Sequence, residues 1–360
     1  MNKNNTLVIA EAGVNHNGND DLAFALVDAA YKAGADIVKF QTFKAKNLVT
    51  KDAVQADYQV TNTGQKESQY AMLKRLELSY DTHHKLVKYC NDLGIEFLST
   101  AFDTESLSFL VDDLGITRLK LPSGEITNAP LVLEHARTGC DLIVSTGMAT
   151  LSEIEQVLSV IAFGYLNPTE TPTEESMHAA YFSEQGKQLL KEKVTLLHCT
   201  TEYPAPFDDI NLNAMDTMKN AFKLDVGYSD HSEGIIVPVA AVAKGAVLIE
   251  KHFTVDKTLP GPDHKASLDP IELKAMVDGI RTVERVLGDG IKGPRPSEVK
   301  NKAVARKSLV AAKAINRGEV FSQENIAIKR PGTGINPIKY WDLLDTNATK
   351  EYQEGELING

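Results

Sequence analysis

Short apolar runs rich in β-branched residues recur along the chain, and most are followed by a stretch of helical periodicity. The runs are LVIAEAG (7–13), IVKFQTF (37–43), EFLSTAF (96–102), RLKLPSG (118–124), LIVSTG (142–147), TLLHCTT (195–201), DVGYSDH (225–231) and VLIEKHF (247–253), eight in all. Segments between them, such as DDLAFALVDAAYKAGA and DTHHKLVKYCNDLG, carry apolar residues at i, i+3, i+4 and i+7. Gly34, Gly94 and Gly115 stand where such helices end, as C′ glycines do. Eight strands alternating with helices predict a (β/α)8 TIM barrel over residues 1–287. A doubly wound open sheet is the other architecture, but the turn after the first strand reads EAGVNHNG and lacks G-x-G-x-x-G spacing.

Two connections are long. Residues 44–80 read as an ordered polar excursion over the barrel mouth, and 164–183, rich in Pro, Thr and Glu, as a surface insertion. Residues 288–300, GDGIKGPRPSEVK, read as a linker. The remaining 301–360 form a small second domain of short β-like runs with no long helix, a size that calls for support from a partner surface.

Composition narrows the function classes. With 42% hydrophobic and 24% charged residues, the 360-residue chain is an ordinary soluble globular protein. A net charge of −11 argues against nucleic-acid binding, while leaving room for a local cationic pocket. No apolar stretch is long enough to span a membrane, and the N-terminus MNKNNTLVIAEAG is too short and too soon charged for a signal peptide. Cys90, Cys140 and Cys199 share no C-x-x-C spacing and read as reduced thiols of a cytoplasmic protein.

The chemistry gathers at the carboxyl ends of the strands, where a barrel keeps its site. Glu11 ends the first. Lys39 and Gln41 share a face of the second, Ser99 and Thr100 end the third, and Lys120, Ser123 and Glu125 end the fourth. Ser145 and Thr146 end the fifth, and His198, Thr200 and Thr201 the sixth. Ser229 and His231 share a face of the seventh, and Glu250 and His252 of the eighth, with Lys251 turned to the helix layer or solvent. Lysines beside hydroxyls suit a phosphate or carboxylate, or else one of them forms a Schiff base. His231 and His252, on adjacent strands, can meet at one ion, with Asp230 and Glu250 adding oxygen character. Mn²⁺, Mg²⁺ or Zn²⁺ all suit such a set. The proline-stiffened loops EYPAPF and LPGPDHKASLDP present Tyr203 and, in the second, Asp263 with His264.

These residues together resemble the sialic acid synthase family, whose motifs appear here as AEAGVNHNG, VKFQTFKA, FLSTAFD, KLPSGEITN, STGMAT, LLHCTTEYPAPF, GYSDHSEG, IEKHFT and GPDHKASL, covering essentially the whole chain. The resemblance implies a TIM barrel followed by an antifreeze-like (SAF, β-clip) domain that ends its linker strand in KRPGTG. It also implies condensation of phosphoenolpyruvate with an N-acylated mannosamine-type sugar. Lys39, Thr100, Lys120, Ser123, Ser145, Thr201 and Ser229 fall where the family holds phosphoenolpyruvate. Gln41, Glu125, Tyr203 and Asp263 fall on sugar-contacting positions, and His231 and His252 on the metal ligands, serving Mn²⁺ with Mg²⁺ or Co²⁺ as alternatives. Glu11 and Glu250 match acids near the reacting centre, with Lys39 and Lys120 beside them. Arg330 matches an arginine that reaches the partner's site in a domain-swapped homodimer. Thr201 stands where some members have Asn, and Val304 near a Phe of others.

The implied activity is N-acetylneuraminate synthesis from N-acetylmannosamine with C–O cleavage and release of phosphate. TTEYPAPF and GPDHKASL also resemble legionaminic acid synthases, which use a 2,4-diacetamido sugar and are the alternative. A Schiff-base aldolase is a second enzyme class. A glycan- or ice-binding protein with a scaffold barrel is the non-catalytic one, though a scaffold has no need of polar residues at eight strand ends.

Overall fold

The computed structural model describes residues 5–56, 59–60 and 66–359. Eight parallel strands, β1 (Leu7–Gly13), β2 (Ile37–Thr42), β3 (Glu96–Ala101), β4 (Arg118–Leu121), β5 (Asp141–Ser145), β6 (Val194–Cys199), β7 (Asp225–Asp230) and β8 (Leu248–His252), close in sequence order into a barrel. β4 is shorter than expected because Pro122 starts a 3₁₀ turn at Ser123–Glu125. Gly34 and Gly94 sit past their helices with φ of 82° and 79°, a region that costs glycine little.

Side-chain alternation builds the barrel interior in layers. Ile9, Ile37, Leu98, Ile143, Leu197 and Leu248 form a buried apolar plug. Two residues further along the same strands stand Glu11, Lys39, Thr100, Ser145, Cys199 and Glu250, all buried. Two further again come Gly13, Gln41, Phe102, Gly147, Thr201 and His252. The sequence therefore switches from hydrocarbon to charge at one height around the barrel.

Two segments differ from expectation. The 164–183 stretch is largely helical. A helix from the fifth strand runs Leu151–Leu166, and Thr173 caps a second, Glu174–Phe182, in a reciprocal box with Ser176. Thr173 thus marks a helix start, while Pro168 and Pro172 lie in the largely exposed non-helical stretch 167–173 between the two helices. The expected linker carries the beginning of a helix at Pro296–Ala305, with Pro296 at its first turn. Of the 44–80 excursion, residues 57–58 and 61–65 lie outside the described ones, as do residues 1–4 of the N-terminal stretch. Its described part includes helices Ala45–Leu48 and Gln69–Leu76.

The chain divides into Met1–Gly288 and Asp289–Gly360. The second unit has an antiparallel pair, β9 (Ser308–Ala311) with β10 (Ile326–Lys329). It encloses its own buried cluster, including Leu309, Phe321, Ile326 and Tyr352. The three cysteines are buried and free. Among the described residues no helix is long and apolar enough to cross a membrane.

On the outer face of β2 and β3 a buried imidazole holds a hydroxyl chain. His83 Nδ1 lies 2.8 Å from Ser79 O and must donate to it. Nε2 then accepts from the Thr42 hydroxyl at 2.8 Å, and Ser99 Oγ lies 2.7 Å from Thr42 Oγ1. Burial lowers the His83 pKa to about 4. This is below the unfolded value of ~6.5, so the unfolded chain takes the proton first. Stability is complete above that value and falls as the pH drops toward 4. The expected loss from this group between pH 6.5 and 5 is about 2 kcal/mol. Urea unfolding at both pH values should show it in the wild type and not in His83→Gln; equal pH slopes would contradict it.

Candidate active site

The charged layer is the floor of a cavity of about 240 Å³ at the carboxyl end of the barrel. Strand register sets it. Glu11 pairs across with Lys39 on one side and His252 on the other, Gln41 with Thr100, Thr100 with Lys120, and Ser229 with Glu250. Lys39 Nζ lies 2.8 Å from Glu11 Oε2 and 3.6 Å from Glu250 Oε2, and 3.1 Å from Thr100 Oγ1. Glu250 Oε1 accepts from Lys120 at 3.1 Å and from the Ser229 hydroxyl at 2.9 Å. Two ammonium groups thus share two carboxylates in a water-poor floor, where leaving one charge unpaired is costly.

The two carboxylates are driven apart. Burial opposes ionisation of Glu250, but Lys120 and Lys39, with the Ser229 hydroxyl, outweigh it and hold its pKa below the ordinary carboxylate range. Burial pushes Glu11 up to about 7 against the pull of Lys39, and the charge on Glu250 adds to the rise. Burial works against the Lys39 charge too, yet Glu11 and Glu250 raise its pKa above the usual lysine value. A permanently charged Lys39 is no amine nucleophile, which disfavours a Schiff base there.

Above the floor stand the imidazoles. His231 Nδ1 lies 2.6 Å from the Thr200 carbonyl and donates to it, leaving Nε2 as its free lone pair. His252 has its ring centroid 5.7 Å from that of His231. Burial lowers both pKa values, that of His252 strongly, so both rings are neutral. The Tyr203 ring lies against His231 at 4.1 Å between centroids. His252 Nδ1 is buried without a hydrogen-bond partner, 3.9 Å from Asp263 Oδ2. Burial raises the Asp263 carboxyl to about 6.

A divalent metal fits this arrangement in part. Two neutral imidazoles face one cavity and one nitrogen is orphaned, which suits a borderline cation. Among the described residues, no three His, Cys, Asp or Glu side chains stand at ligating spacing, so further donors would come from water or substrate. Asp230 is not one of them. It turns to the helix layer, where Lys251 Nζ bonds its Oδ2 at 2.6 Å and also the Ser232 carbonyl. Lys251 is accordingly buried in that layer rather than solvated.

Of the residues singled out in the sequence, Glu11, Lys39, Gln41, Thr100, Lys120, Ser123, Ser145, Thr201, Tyr203, Ser229, His231, Glu250, His252 and Asp263 line the one cavity. Glu125 does not; the 3₁₀ turn after Pro122 carries its carboxylate to Asn128 Nδ2 at 2.7 Å. Arg330 belongs to the second unit, is exposed, and donates from Nε to Ala305 O. Ser99, Thr146 and His198 face outward, His198 Nε2 onto Ile210 O and Thr146 onto Leu197 O. Ser123 is placed by Gly147, whose N–H donates to its hydroxyl at 3.0 Å. A Cβ on Gly147 would lie 2.2 Å from Thr201 Oγ1 and 2.7 Å from Ser123 Oγ, so a side chain there would close the pocket. Cys199, raised in pKa by burial, is a thiol in contact with Ser123 and not an activated nucleophile. Sequence reasoning missed the apolar wall of Val14, Met72, Leu73, Leu76 and Phe102. Its signal was the three-and-four spacing within QYAMLKRL.

A family model described as the NeuB family matches residues 26–292, and a SAF domain model matches 306–350. The chain belongs to the NeuB family. It is 49% identical over 98% of both chains to an N,N'-diacetyllegionaminic acid synthase of Campylobacter jejuni. It is 45% identical to another of that name from Legionella pneumophila, covering 98% of this chain and 92% of the relative. The human N-acetylneuraminate-9-phosphate synthase is 32% identical, covering 98% and 90%. A solved N-acetylneuraminic acid synthetase from Leptospira borgpetersenii superposes with a TM-score of 0.66 at 32% identity over 83% of this chain and 90% of its own. Members named in this way are synthases, and the chain is an enzyme of that transferase class, a nonulosonic acid synthase.

Proposed function

We propose that the enzyme is an N,N'-diacetyllegionaminate synthase, which condenses phosphoenolpyruvate with 2,4-diacetamido-2,4,6-trideoxymannose and releases phosphate. The observation that carries the chemistry is the floor, where buried Lys39 and Lys120 stand among hydroxyls beneath two neutral imidazoles. Sequence motifs place N-acetylmannosamine first and the diacetamido sugar second. Identities of 49% and 45% to the diacetyllegionaminic acid synthases, against 32% to the human enzyme, support the reverse order.

Lys39 and Lys120, with Thr100, Ser123, Ser145, Thr201 and Ser229, hold the phosphate and carboxylate of phosphoenolpyruvate. C3 of the enol attacks the aldehyde carbon of the open-chain sugar, and the carbonyl oxygen takes a proton. Water adds to the cation left at C2, and the resulting tetrahedral centre expels phosphate with its bridging oxygen. Glu250 is occupied by two lysines and a serine, whereas Glu11 keeps one close cation, so Glu11 is the acid that orients water and moves protons. His231 and His252 would hold a divalent metal, Mn²⁺ first among the candidates, and when bound it polarises the aldehyde oxygen. Gln41, Tyr203 and Asp263 hold the sugar. Arg330, exposed in the second unit, is the residue through which a homodimer would complete a partner's site.

Phosphate release with each sugar tests the reading, and the 2,4-diacetamido sugar is expected to give the higher kcat/KM. Phosphoenolpyruvate labelled at the bridging oxygen should deliver the label to phosphate; label kept in the nine-carbon product would refute C–O cleavage. Chelation by EDTA should abolish turnover and Mn²⁺ restore it, with His231→Ala unresponsive to added metal. Full activity after chelation would remove the metal from the mechanism.

A further inference from the structure

The cavity is chemically two-ended. Its floor is charged, but the wall above is largely hydrocarbon, with Gln59 of the excursion also lining the cavity, and does not belong to the barrel core. Val14, Phe43, Met72 and Leu76 form a separate buried cluster, with Leu73 and Phe102 half-buried against it. Phe102 stands two residues beyond Thr100 on the strand-three path, so it faces the cavity directly above the anion-binding layer. Leu73 comes from the excursion after β2 and lines the same space with Met72 and Leu76.

This wall is held in place. Ser68 caps the helix Gln69–Leu76 by accepting from Ala71 N at 3.2 Å. Arg75 grips Glu67 through two hydrogen bonds, of 2.5 and 2.7 Å. The Arg75 carbonyl lies 2.3 Å from where a Cβ on Gly18 would stand, so the helix end is seated on the loop after β1 at a point only glycine permits. Packed apolar side chains in fixed positions discriminate by shape and by desolvation.

Resting on the substrate reading of the preceding subsection, we propose that Leu73 and Phe102, backed by Met72 and Leu76, determine sugar specificity by packing on the methyl carbons of a deoxygenated, acetamido-bearing sugar. With the carboxylate and phosphate of the co-substrate fixed at the floor and the aldehyde carbon next to them, the far end of the open-chain sugar lies along this wall. In 2,4-diacetamido-2,4,6-trideoxymannose that end carries a C6 methyl and a second acetyl methyl. In N-acetylmannosamine it carries hydroxyls, which would lose water against side chains offering no hydrogen bond. One methylene in an apolar pocket is worth about 10- to 200-fold in kcat/KM.

The test is kcat/KM for both sugars at saturating phosphoenolpyruvate in the wild type, Leu73→Ser and Phe102→Leu. Leu73→Ser is expected to lower kcat/KM for the diacetamido sugar at least about tenfold, chiefly through KM, while the value for N-acetylmannosamine holds or rises. The KM for phosphoenolpyruvate should not move. Phe102→Leu, which keeps the wall apolar and secures a folded variant, should shift the ratio of the two sugars the same way by less. Parallel falls with both sugars, or an unmoved ratio, would overturn the wall as a specificity element and leave the substrate reading standing. A wild type that prefers N-acetylmannosamine would instead overturn the reading on which the wall's role rests.

Discussion

Glu250→Gln is expected to cost the enzyme about 3–5 kcal/mol of stability, the largest effect of any single floor substitution. The change removes no volume and leaves the Ser229 hydroxyl an acceptor, so neither a cavity nor a lost hydrogen bond explains the loss. What it removes is the charge facing Lys120 at 3.1 Å and Lys39 at 3.6 Å. Both lysine side chains are almost completely buried, and Glu11, beside Lys39, would be left as their one carboxylate in the floor network. Scanning calorimetry should show a fall in Tm of roughly 10 °C. Phosphoenolpyruvate, whose own charges can stand in for the missing carboxylate, should raise the Tm of the variant more than that of the wild type. A loss under about 1 kcal/mol, as exposed ion pairs give, would mean that the floor is wetter than its burial implies.

The same arithmetic explains why the floor carries carboxylates at all. Two bare lysines would bind an anion more tightly but would make the free barrel unstable. Glu250 keeps them ionised and folded, and its pKa, held low by both, keeps it charged. Glu11, pushed up to about 7, is the partner able to take or give a proton near neutrality. On the proposed mechanism, two glutamates two strand positions from one apolar plug thus divide the work by their number of donors.

Much of this was legible in the chain because strand periodicity is local. The run VLIEKHF puts Glu250 and His252 on one face and Lys251 on the other, and the structure has them so. What Lys251 meets was not legible, because its partner Asp230 depends on the register between β7 and β8. Asp230 read as a metal neighbour, although the alternation that puts Ser229 and His231 inside sends it outward to Lys251. Where the Glu125 carboxylate points was not legible either, because the backbone turn after Pro122 sets it. The apolar wall was hidden by the polar composition of the excursion, in which a two-turn helix supplies the hydrocarbon and its neighbours supply the charge. The helix at Glu174–Phe182 was hidden in the same way, since its caps are the residues that elsewhere mark loops.

Lys120→Met is expected to lower kcat/KM about 10²- to 10³-fold, as loss of a single preorganised charge contact does, with little loss of stability. Glu250 would still face Lys39 and accept from Ser229, and Glu11, whose raised pKa climbs further once Lys120 is gone, can keep its proton, so no buried charge is stranded. Combining Lys120→Met with Glu250→Gln should then separate folding from catalysis. The pair removes one charge of each sign and leaves Lys39 with Glu11 at 2.8 Å, a balanced floor. The double variant should therefore be more stable than Glu250→Gln alone, with a coupling of about 1–3 kcal/mol in the cycle. Its activity should be no better than that of Lys120→Met, because the cation proposed to meet the substrate is still missing. Unfolding free energies that add without coupling would show that the two side chains do not sense each other's charge. Recovered turnover in the double variant would show that Lys120 serves only to neutralise Glu250, leaving Lys39 as the one anion-binding cation of the floor.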